Sequence, residues 1–312
     1  MVAKEFLGGA RSEMYKNSVR RSRRAQIPVK GFGDRKIPDA VPYERSLAEQ
    51  SEASKVVGFF DANSMIGRYN LFRPGSFYTK ERLLREMEYY GISEALVFHA
   101  VSMENSPQIG NQLTLKELVD TPFLHPVWTL LPAVPSETSP PEVMVQEMQR
   151  FNVRVARLFP LQFHFDLDDW CLGEVLESLS NRRIPVIIDY FDSFMPHSDR
   201  TDWRSVVEVC RRHPDLPVII TEFRFRTNRR LYQAMDKCPN LYIELSALWL
   251  FRAVESICRR FGAERLIFGT RLPIRDPSCA LGMVNYAMIS EEEKEMVAGK
   301  NLRKLMEALR HD

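Results

Sequence analysis

Short apolar runs alternate with amphipathic stretches along the chain from Lys55 onward. The runs are rich in Val, Ile, Leu and Phe, a pattern typical of strands buried on both faces of a parallel sheet. The eight runs are VVGFFD (56–61), EALVFH (94–99), HPVWTLL (125–131), RVARLFP (154–160), IPVIIDY (184–190), LPVIITEF (216–223), NLYIELS (240–246) and RLIFGT (265–270).

The stretches between the runs have helical periodicity. In YTKERLLREMEYYG (78–91), Leu83, Met87 and Tyr90 fall on one face, and Gly91 is placed to end the helix. Similar patterns occur in SPPEVMVQEMQRF, WCLGEVLESLSNR, DWRSVVEVCRRH, LFRAVESICRRFG and SEEEKEMVAGKNLRKLMEALR. Eight strands alternating with helices predict an α/β fold, a (β/α)8 TIM barrel over residues 55–312. The rival is an open doubly wound sheet, but no glycine-rich phosphate loop follows the first run.

Residues 1–54 lack this alternation and predict a partly irregular, basic N-terminal arm. Between Lys16 and Lys36, eight residues are basic and one, Asp34, is acidic. Two interpretations stay open. The arm is a solvated positive segment, or it contacts an anionic partner or a neighbouring subunit.

Charge and composition narrow the classes of partner. The net charge of +2 favours neither nucleic acid nor a membrane surface as a partner. No apolar stretch is long enough for a transmembrane span, and no signal core opens the chain, so we expect a cytoplasmic protein. The five cysteines are scattered without a C-x-x-C pair, which argues against a disulfide framework and a structural zinc site.

The chemistry of such barrels is built at the carboxyl ends of the strands. Asp61, Asn63 and Met65 end the first strand at alternate positions, so the pattern predicts that they point the same way. Because buried charges at one barrel mouth are costly unless paired, we expect an ion-pair network there. The candidates at the later strands are His99, Arg157, Asp189, Glu222, Glu244 and Arg271.

The closing segment carries a family resemblance. Residues 260–306, RFGAERLIFGTRLPIRDPSCALGMVNYAMISEEEKEMVAGKNLRKLM, resemble the end of amidohydrolase-superfamily barrels, where the last strand normally reads F-G-S-D-x-P. The likeness is to the branch that holds metal-dependent decarboxylases and lactone hydrolases. VRVARLFP and PNLYIELSAL also resemble segments of that family. The resemblance implies a barrel over about residues 56–310 and a site at its mouth.

The resemblance also implies positions for metal ligands, and none holds the family's residue. The histidines of the first strand fall on Asn63 and Met65. The histidines of strands five and six fall on Asp189 and Glu222, and the aspartate of strand eight falls on Arg271. We expect no catalytic zinc, because Asn63 and Met65 replace good zinc donors and Arg271 adds a cation.

We therefore predict no cofactor, with one alternative kept open. Asp61, Asp189 and Glu222 could supply oxygen ligands to magnesium or manganese.

The charged replacements predict a metal-independent hydrolase of a small carboxylated substrate, with cyclic and aromatic compounds both open. Arg271 would be an electrostatic anchor, and Asp189, Glu222 or His99 the general base. Arginines near the mouth suit an anionic substrate. The predicted substrate-binding residues are Asn63, Arg68, Arg157, His164 and Arg224.

Two other functions stay open. One is a non-catalytic pseudoenzyme barrel, a binding or assembly module in which Arg271, Asp189 and Glu222 form an inert plug. A weaker alternative is a decarboxylase. The expected partners are a small anionic molecule and further copies of the chain in a homo-oligomer, with neither membrane nor nucleic acid.

Overall fold

The computed structural model describes residues 58–70, 75–135, 137–191, 201–223 and 228–310. The predicted arm, residues 1–54, and the predicted binding residue Arg224 lie outside these ranges, so both predictions stay untested.

The eight predicted strands form one parallel sheet in the order of the chain, which confirms the TIM barrel. Each strand is paired in parallel with the next one along the sequence. The strands are β1 (Phe59–Ile66), β2 (Ile92–His99), β3 (Leu124–Thr129), β4 (Val155–Leu158), β5 (Val186–Asp189), β6 (Val218–Thr221), β7 (Leu241–Glu244) and β8 (Leu266–Ile267).

Backbone hydrogen bonds connect the last strand to the first. The Ala62 amide donates to the Phe268 carbonyl at 3.0 Å, and the Met65 amide donates to the Leu272 carbonyl at 2.9 Å. These bonds give β1 a partner on its second edge, so the carboxyl ends of all eight strands face one mouth.

Helices follow the strands, with a closing group after β8. The first helix begins at Thr79, whose hydroxyl accepts from the Arg82 amide, and ends at Gly91 with φ of 71°, as predicted. The helices are α1 (Lys80–Tyr90), α2 (Ala100–Glu104), α3 (Pro107–Leu118), α4 (Pro141–Arg150), α5 (Asp169–Asn181), α6 (Trp203–Arg212), α7 (Asn228–Lys237), α8 (Ala253–Phe261), α9 (Ser278–Asn285), α10 (Glu291–Glu295) and α11 (Asn301–Glu307). Short 3₁₀ turns cover Leu245–Ala247 and Ala263–Arg265, and a π-helical turn covers Met296–Lys300.

The apolar core has two layers, as strand alternation requires. Side chains such as Phe60, Val127 and Ile187 fill the barrel interior. Their neighbours along the strands, such as Trp128 and Ile188, pack in the layer that also holds buried helix residues. None of the described helices is both long and apolar enough to cross a membrane.

The strand bounds differ from the predicted runs, and β1 and β8 show why. β1 continues to Ile66, five residues past the end of the apolar run, and its polar residues are all buried. β8 has only two residues, because the chain beyond Ile267 bonds to β1 and to the π-helical turn. Polar residues extend β1 because their partners come from distant parts of the chain.

Candidate active site

A buried aspartate at the end of β5 lies between two arginines. Asp189 Oδ2 accepts a hydrogen bond from Nη2 of Arg157, a residue of β4. The same oxygen accepts from Nη1 of Arg271 at 2.5 Å, and Arg271 lies four residues beyond β8. Asp189 and Arg157 are 0% exposed to solvent, and Arg271 is 1% exposed. The expected ion-pair network is therefore present at the mouth, and charges so deeply buried are stable only because they are paired.

Asn63, on β1, joins the ion pairs to a second carboxylate. Its Oδ1 accepts from Arg157 Nη2 at 2.8 Å and from Arg271 Nη1 at 3.2 Å. Its Nδ2 donates to Glu244 Oε2 at 3.1 Å. The amide suits this position because it accepts on the cationic side and donates on the anionic side.

Glu222, just beyond β6, forms the other side of the cluster. Its Oε2 accepts from Arg275 Nη2 at 2.7 Å, and its Oε1 lies 3.6 Å from Arg271 Nε. Arg275 Nη1 also donates to the Ser246 carbonyl at 2.6 Å. Glu222 and Arg271 both have left-handed backbone, with φ of 60° and 64°. Such non-glycine residues are strained and occur often at functional sites.

The two carboxylates linked through Asn63 titrate very differently. Burial alone would raise the pKa of Asp189, but the guanidinium groups of Arg271 and Arg157 outweigh it and hold that pKa below its usual range. Burial raises the pKa of Glu244 to about 7, against hydrogen bonds from the Ser246 hydroxyl and amide. Asp189 is thus a fixed anion, whereas Glu244 exchanges its proton near neutral pH.

Aromatic rings surround the guanidinium groups. The Arg157 guanidinium lies 4.4 Å from the centre of the Phe98 ring, and that of Arg271 lies 4.9 Å from Phe191. Arg275 lies 5.2 Å from the ring of Trp249, a residue that is 53% exposed. These rings add cation–π stabilisation to the buried guanidinium groups.

His99 is placed elsewhere. Its Nδ1 accepts from the Val101 amide at 3.2 Å, where it caps α2, and its Nε2 lies 3.6 Å from Glu117. It lines a separate cavity with Gly67 and Arg68. The structure therefore does not bring His99 to the carboxylates with which it was predicted to act.

Two predicted binding residues are also outside the ion-pair cluster. Arg68 is exposed, donates to the Tyr78 hydroxyl at 3.0 Å and stacks on its ring. His164 is exposed in the segment after β4, with φ of 53°. Of the predicted site residues that are described, the structure brings together Asn63, Arg157, Asp189, Glu222 and Arg271.

Asp61 does not join Asn63, although the alternation predicts both on one side. The pairing of β1 with β2 shifts register between Asp61 and Ser64. The Asp61 carboxylate accepts from the hydroxyls of Ser64 and Thr270 and from the amides of Asn63 and Thr270. It ties β1 to the chain after β8, so its role is structural.

No group of three or more His, Cys, Asp or Glu side chains arranged to hold a metal ion is found among the residues that the structure describes.

The sequence matches a family model over most of the barrel. The amidohydrolase family model aligns with residues 66–306 of the 312. The chain belongs to the amidohydrolase family. No curated protein matches it significantly.

Solved structures share the fold of this amidohydrolase-family chain at low sequence identity. An uncharacterised TIM-barrel protein from Bordetella bronchiseptica aligns with a TM-score of 0.62 and 18% identity, covering 81% of this chain and 99% of its own. A 5-carboxyvanillate decarboxylase from Sphingomonas paucimobilis has a TM-score of 0.60 and 14% identity, with coverage of 81% and 99%. A dihydroxybenzoic acid decarboxylase from Polaromonas, with bound manganese and 2-nitroresorcinol, has a TM-score of 0.61 and 12% identity, with coverage of 81% and 97%.

Three participants in the amidohydrolase-family site were assigned no role from the sequence. Glu244 was named among the strand-end candidates but was given no catalytic or binding role, and Ser246 and Arg275 were not singled out. The alternation of β7 gave a signal for Glu244, because residues two apart in a strand share a face and Tyr242 therefore lies on the same face of β7 as Glu244. Nothing local marks Arg275, because its partner Glu222 lies 53 residues away.

Proposed function

We propose that this amidohydrolase-family chain is a metal-independent hydrolase of a small carboxylated substrate, with Glu244 as its general base. One observation carries the proposal. At the mouth of the barrel, a buried carboxyl group with a pKa of about 7 lies beside a cluster of arginines. A base whose pKa is near the working pH combines adequate deprotonation with a strong drive to take a proton.

The choice of Glu244 follows from what its neighbours do. Asp189 is locked between two guanidinium groups that lower its pKa, so it is a poor proton acceptor. Glu222 is engaged by Arg275 at 2.7 Å. Glu244 instead has the neutral partners Ser246 and Asn63, so its proton can leave and return without breaking an ion pair.

The charge balance of the cluster supports an anionic substrate. Three guanidinium groups, those of Arg157, Arg271 and Arg275, face two carboxylates already paired with them, Asp189 and Glu222. With Glu244 ionised, as a general base must be, three carboxylates balance the three guanidinium groups, and one surplus positive charge develops when Glu244 takes its proton. A substrate carboxylate neutralises that surplus, and the solved relatives named for carboxylated aromatic acids are consistent with this class.

The proposed reaction uses this chain's own groups. Glu244 takes a proton from a water molecule as the water oxygen bonds to the substrate carbonyl carbon. The carbonyl electron pair moves to its oxygen, where the arginine field stabilises the negative charge. The tetrahedral intermediate collapses, the leaving oxygen or nitrogen departs, and Glu244 returns the proton to it.

A divalent metal does not fit this arrangement. At the positions implied for family ligands, the Arg271 guanidinium already contacts Asp189 Oδ2 and Asn63 Oδ1. Met65 is buried in the barrel core. The oxygen-ligand alternative is weakened as well, since Asp61 accepts four hydrogen bonds from protein groups. A cation among these residues would have to displace a guanidinium of the same sign.

A non-catalytic barrel is the second candidate. Its support is the near-complete burial of Arg157, Asp189 and Arg271, whose charges are already paired with one another. In that function the cluster would only stabilise the mouth of a binding or assembly module.

Turnover by metal-depleted protein distinguishes these functions. We would dialyse the full chain against a chelator, confirm the metal content by mass spectrometry, and screen carboxylated lactones, esters and amides together with 2,6-dihydroxybenzoate. The expected result is hydrolysis that falls on the order of a hundredfold or more in Glu244→Gln. The control is Glu88→Gln, which changes an exposed carboxyl on α1 and should keep full activity.

Each of the other outcomes supports a different mechanism or function. Turnover that is lost on metal removal and restored by zinc contradicts the metal-independent mechanism. Release of carbon dioxide from 2,6-dihydroxybenzoate without any hydrolysis supports the decarboxylase instead. Absence of turnover on the whole panel by folded protein supports the non-catalytic barrel.

A further inference from the structure

A cavity beside the carboxyl ends of β1 and β2 lies apart from the arginine cluster. It has a volume of about 460 Å³, within the range of small-molecule sites in proteins. Its lining includes His99, the last residue of β2, and Glu117, in the last turn of α3. None of the charged residues of the arginine cluster lines it.

The capping contact of His99 fixes which ring nitrogen carries the proton. Nδ1 accepts from the Val101 amide at 3.2 Å, so this nitrogen presents its lone pair. Burial lowers the pKa of His99 below its ordinary value, although the carboxylate of Glu117 acts in the opposite direction. The ring is therefore neutral at pH 7, and its one proton is on Nε2. A metal ion on Nε2 is disfavoured, because the proton could move to Nδ1 only by breaking the Val101 contact.

The Nε2 donor and the carboxylate of Glu117 face each other across a gap. His99 Nε2 lies 3.6 Å from Glu117 Oε1, which is longer than a hydrogen bond. Nε2 bonds to no other described residue, yet it is not among the unpartnered side-chain nitrogens that are sealed from solvent. The Glu117 side chain is 37% exposed and pairs with no Lys or Arg among the described residues. The cavity thus presents an N–H donor directly beside an anionic acceptor.

A carboxamide edge complements this donor and acceptor. In a primary amide the carbonyl oxygen and one N–H point to the same side, with the oxygen and nitrogen about 2.3 Å apart. The oxygen can accept from His99 Nε2 while the N–H donates to Glu117. A lactam holds the same arrangement in a ring. A secondary amide in its trans form cannot make both bonds, because its N–H points away from its carbonyl oxygen.

The charges around the cavity balance. The two cations in the lining are Arg68 and Lys80, and the two anions are Glu81 and Glu117. An anion that accepted from His99 Nε2 would lie beside the Glu117 carboxylate, which would repel it. The lining therefore favours a neutral polar ligand.

We propose that this cavity binds a small neutral molecule through a primary carboxamide or lactam edge, with the carbonyl oxygen accepting from His99 Nε2 and the N–H donating to Glu117. Val101 and the ring of Tyr78, a residue that is 43% exposed, provide apolar surface for the rest of the molecule. The site gives His99 and Glu117 a binding role that does not depend on the proposed hydrolase function.

Three small amides test the recognition of this edge. Benzamide and 2-pyridone present the carbonyl and the N–H side by side, whereas in N-methylbenzamide the methyl group takes the place of that N–H. Ligand-detected NMR titrations of the full chain should show saturable binding of the first two and at least about tenfold weaker binding of N-methylbenzamide. The ¹⁵N signal of His99 Nε2, identified among the six histidines by its loss in His99→Asn, should move with benzamide.

Variants locate the binding residues. Glu117→Leu removes the acceptor and should weaken benzamide binding about tenfold or more. His99→Asn removes the Nε2 donor but keeps an oxygen that can cap α2, and should weaken binding by about three- to tenfold. The matched control is Glu174→Leu, because Glu174 is an exposed carboxyl on α5 that does not line the cavity. Thermal unfolding confirms that each variant is folded.

Two results on the natural protein would overturn the proposal whatever the variants do. They are the absence of saturable binding of benzamide and 2-pyridone, and N-methylbenzamide binding as tightly as benzamide. A benzamide affinity that is unchanged in both Glu117→Leu and His99→Asn would overturn it as well.

Discussion

At the residue scale, the site depends on how each charged side chain is paired. Asp189 has two arginines, Glu222 has Arg275, and Glu244 has Ser246 and Asn63. Direct ion pairs to arginines engage the first two carboxylates. Glu244 lacks such a pair, which leaves burial as the largest influence on its pKa.

The raised pKa of Glu244 predicts an unusual dependence of stability on pH. Between about pH 4.5 and 7, folded protein holds a proton on Glu244 that the unfolded chain releases. This contribution to the free energy of unfolding is therefore complete below pH 4.5 and is lost as the pH rises through 7. The total change is about 3 kcal/mol.

Glu244→Gln should remove that change, since glutamine resembles the protonated carboxyl group. Urea denaturation at pH 5 and pH 8 measures it: the variant should gain stability relative to the natural protein as the pH rises. Glu88→Gln should leave the difference unchanged. If the free energy of unfolding changed with pH in the same way in Glu244→Gln and in the natural protein, Glu244 would have an ordinary pKa.

The buried ion pairs predict a second effect on stability. Arg271→Met leaves Asp189 with one arginine and Glu222 with one, so the free energy of unfolding should fall by about 3 kcal/mol or more. Arg310→Met is the control, because the Arg310–Asp215 pair at 3.5 Å is solvent-exposed and should contribute less than about 1 kcal/mol. Equal losses in the two variants, measured by urea denaturation, would contradict a tightly coupled cluster.

At the element scale, the apolar runs identify the strands well but not their ends. Each of the eight runs overlaps a strand, and the predicted Gly91 terminus of α1 is confirmed. β1 extends to Ile66 because the polar residues Asp61 and Asn63 find partners in Thr270 and Arg157. Periodicity cannot indicate such partners, since they lie far away in the sequence.

The terminus of α1 makes a prediction about glycine. Gly91 has φ of 71°, and a Cβ there would meet no atom within 4 Å. Gly91→Ala should therefore cost about 1 kcal/mol through backbone strain alone. In the interior of α9, Gly282 also has open space around it, but no positive φ, so Gly282→Ala should be neutral or stabilising. Thermal unfolding of the two variants should move in different directions; a shared direction would refute the strain argument.

At the scale of the whole molecule, the barrel explains which predicted site residues meet. Five strand-end residues far apart in the sequence converge because their strands open at one mouth. His99 is also a strand-end residue, the last of β2, but its ring caps α2 and lies away from the cluster. The fold was therefore predictable from alternation, whereas the direction of each side chain depends on local capping and register shifts that alternation omits.

The central claim is that Glu244 catalyses hydrolysis without a metal, and the most direct test is a pH–rate profile of chelator-treated protein. With the best substrate from the panel, kcat should rise with pH through an apparent pKa near 7, and Glu244→Gln should lose both the rise and the activity. A profile that is the same in Glu244→Gln, or activity in proportion to added zinc, would contradict the claim.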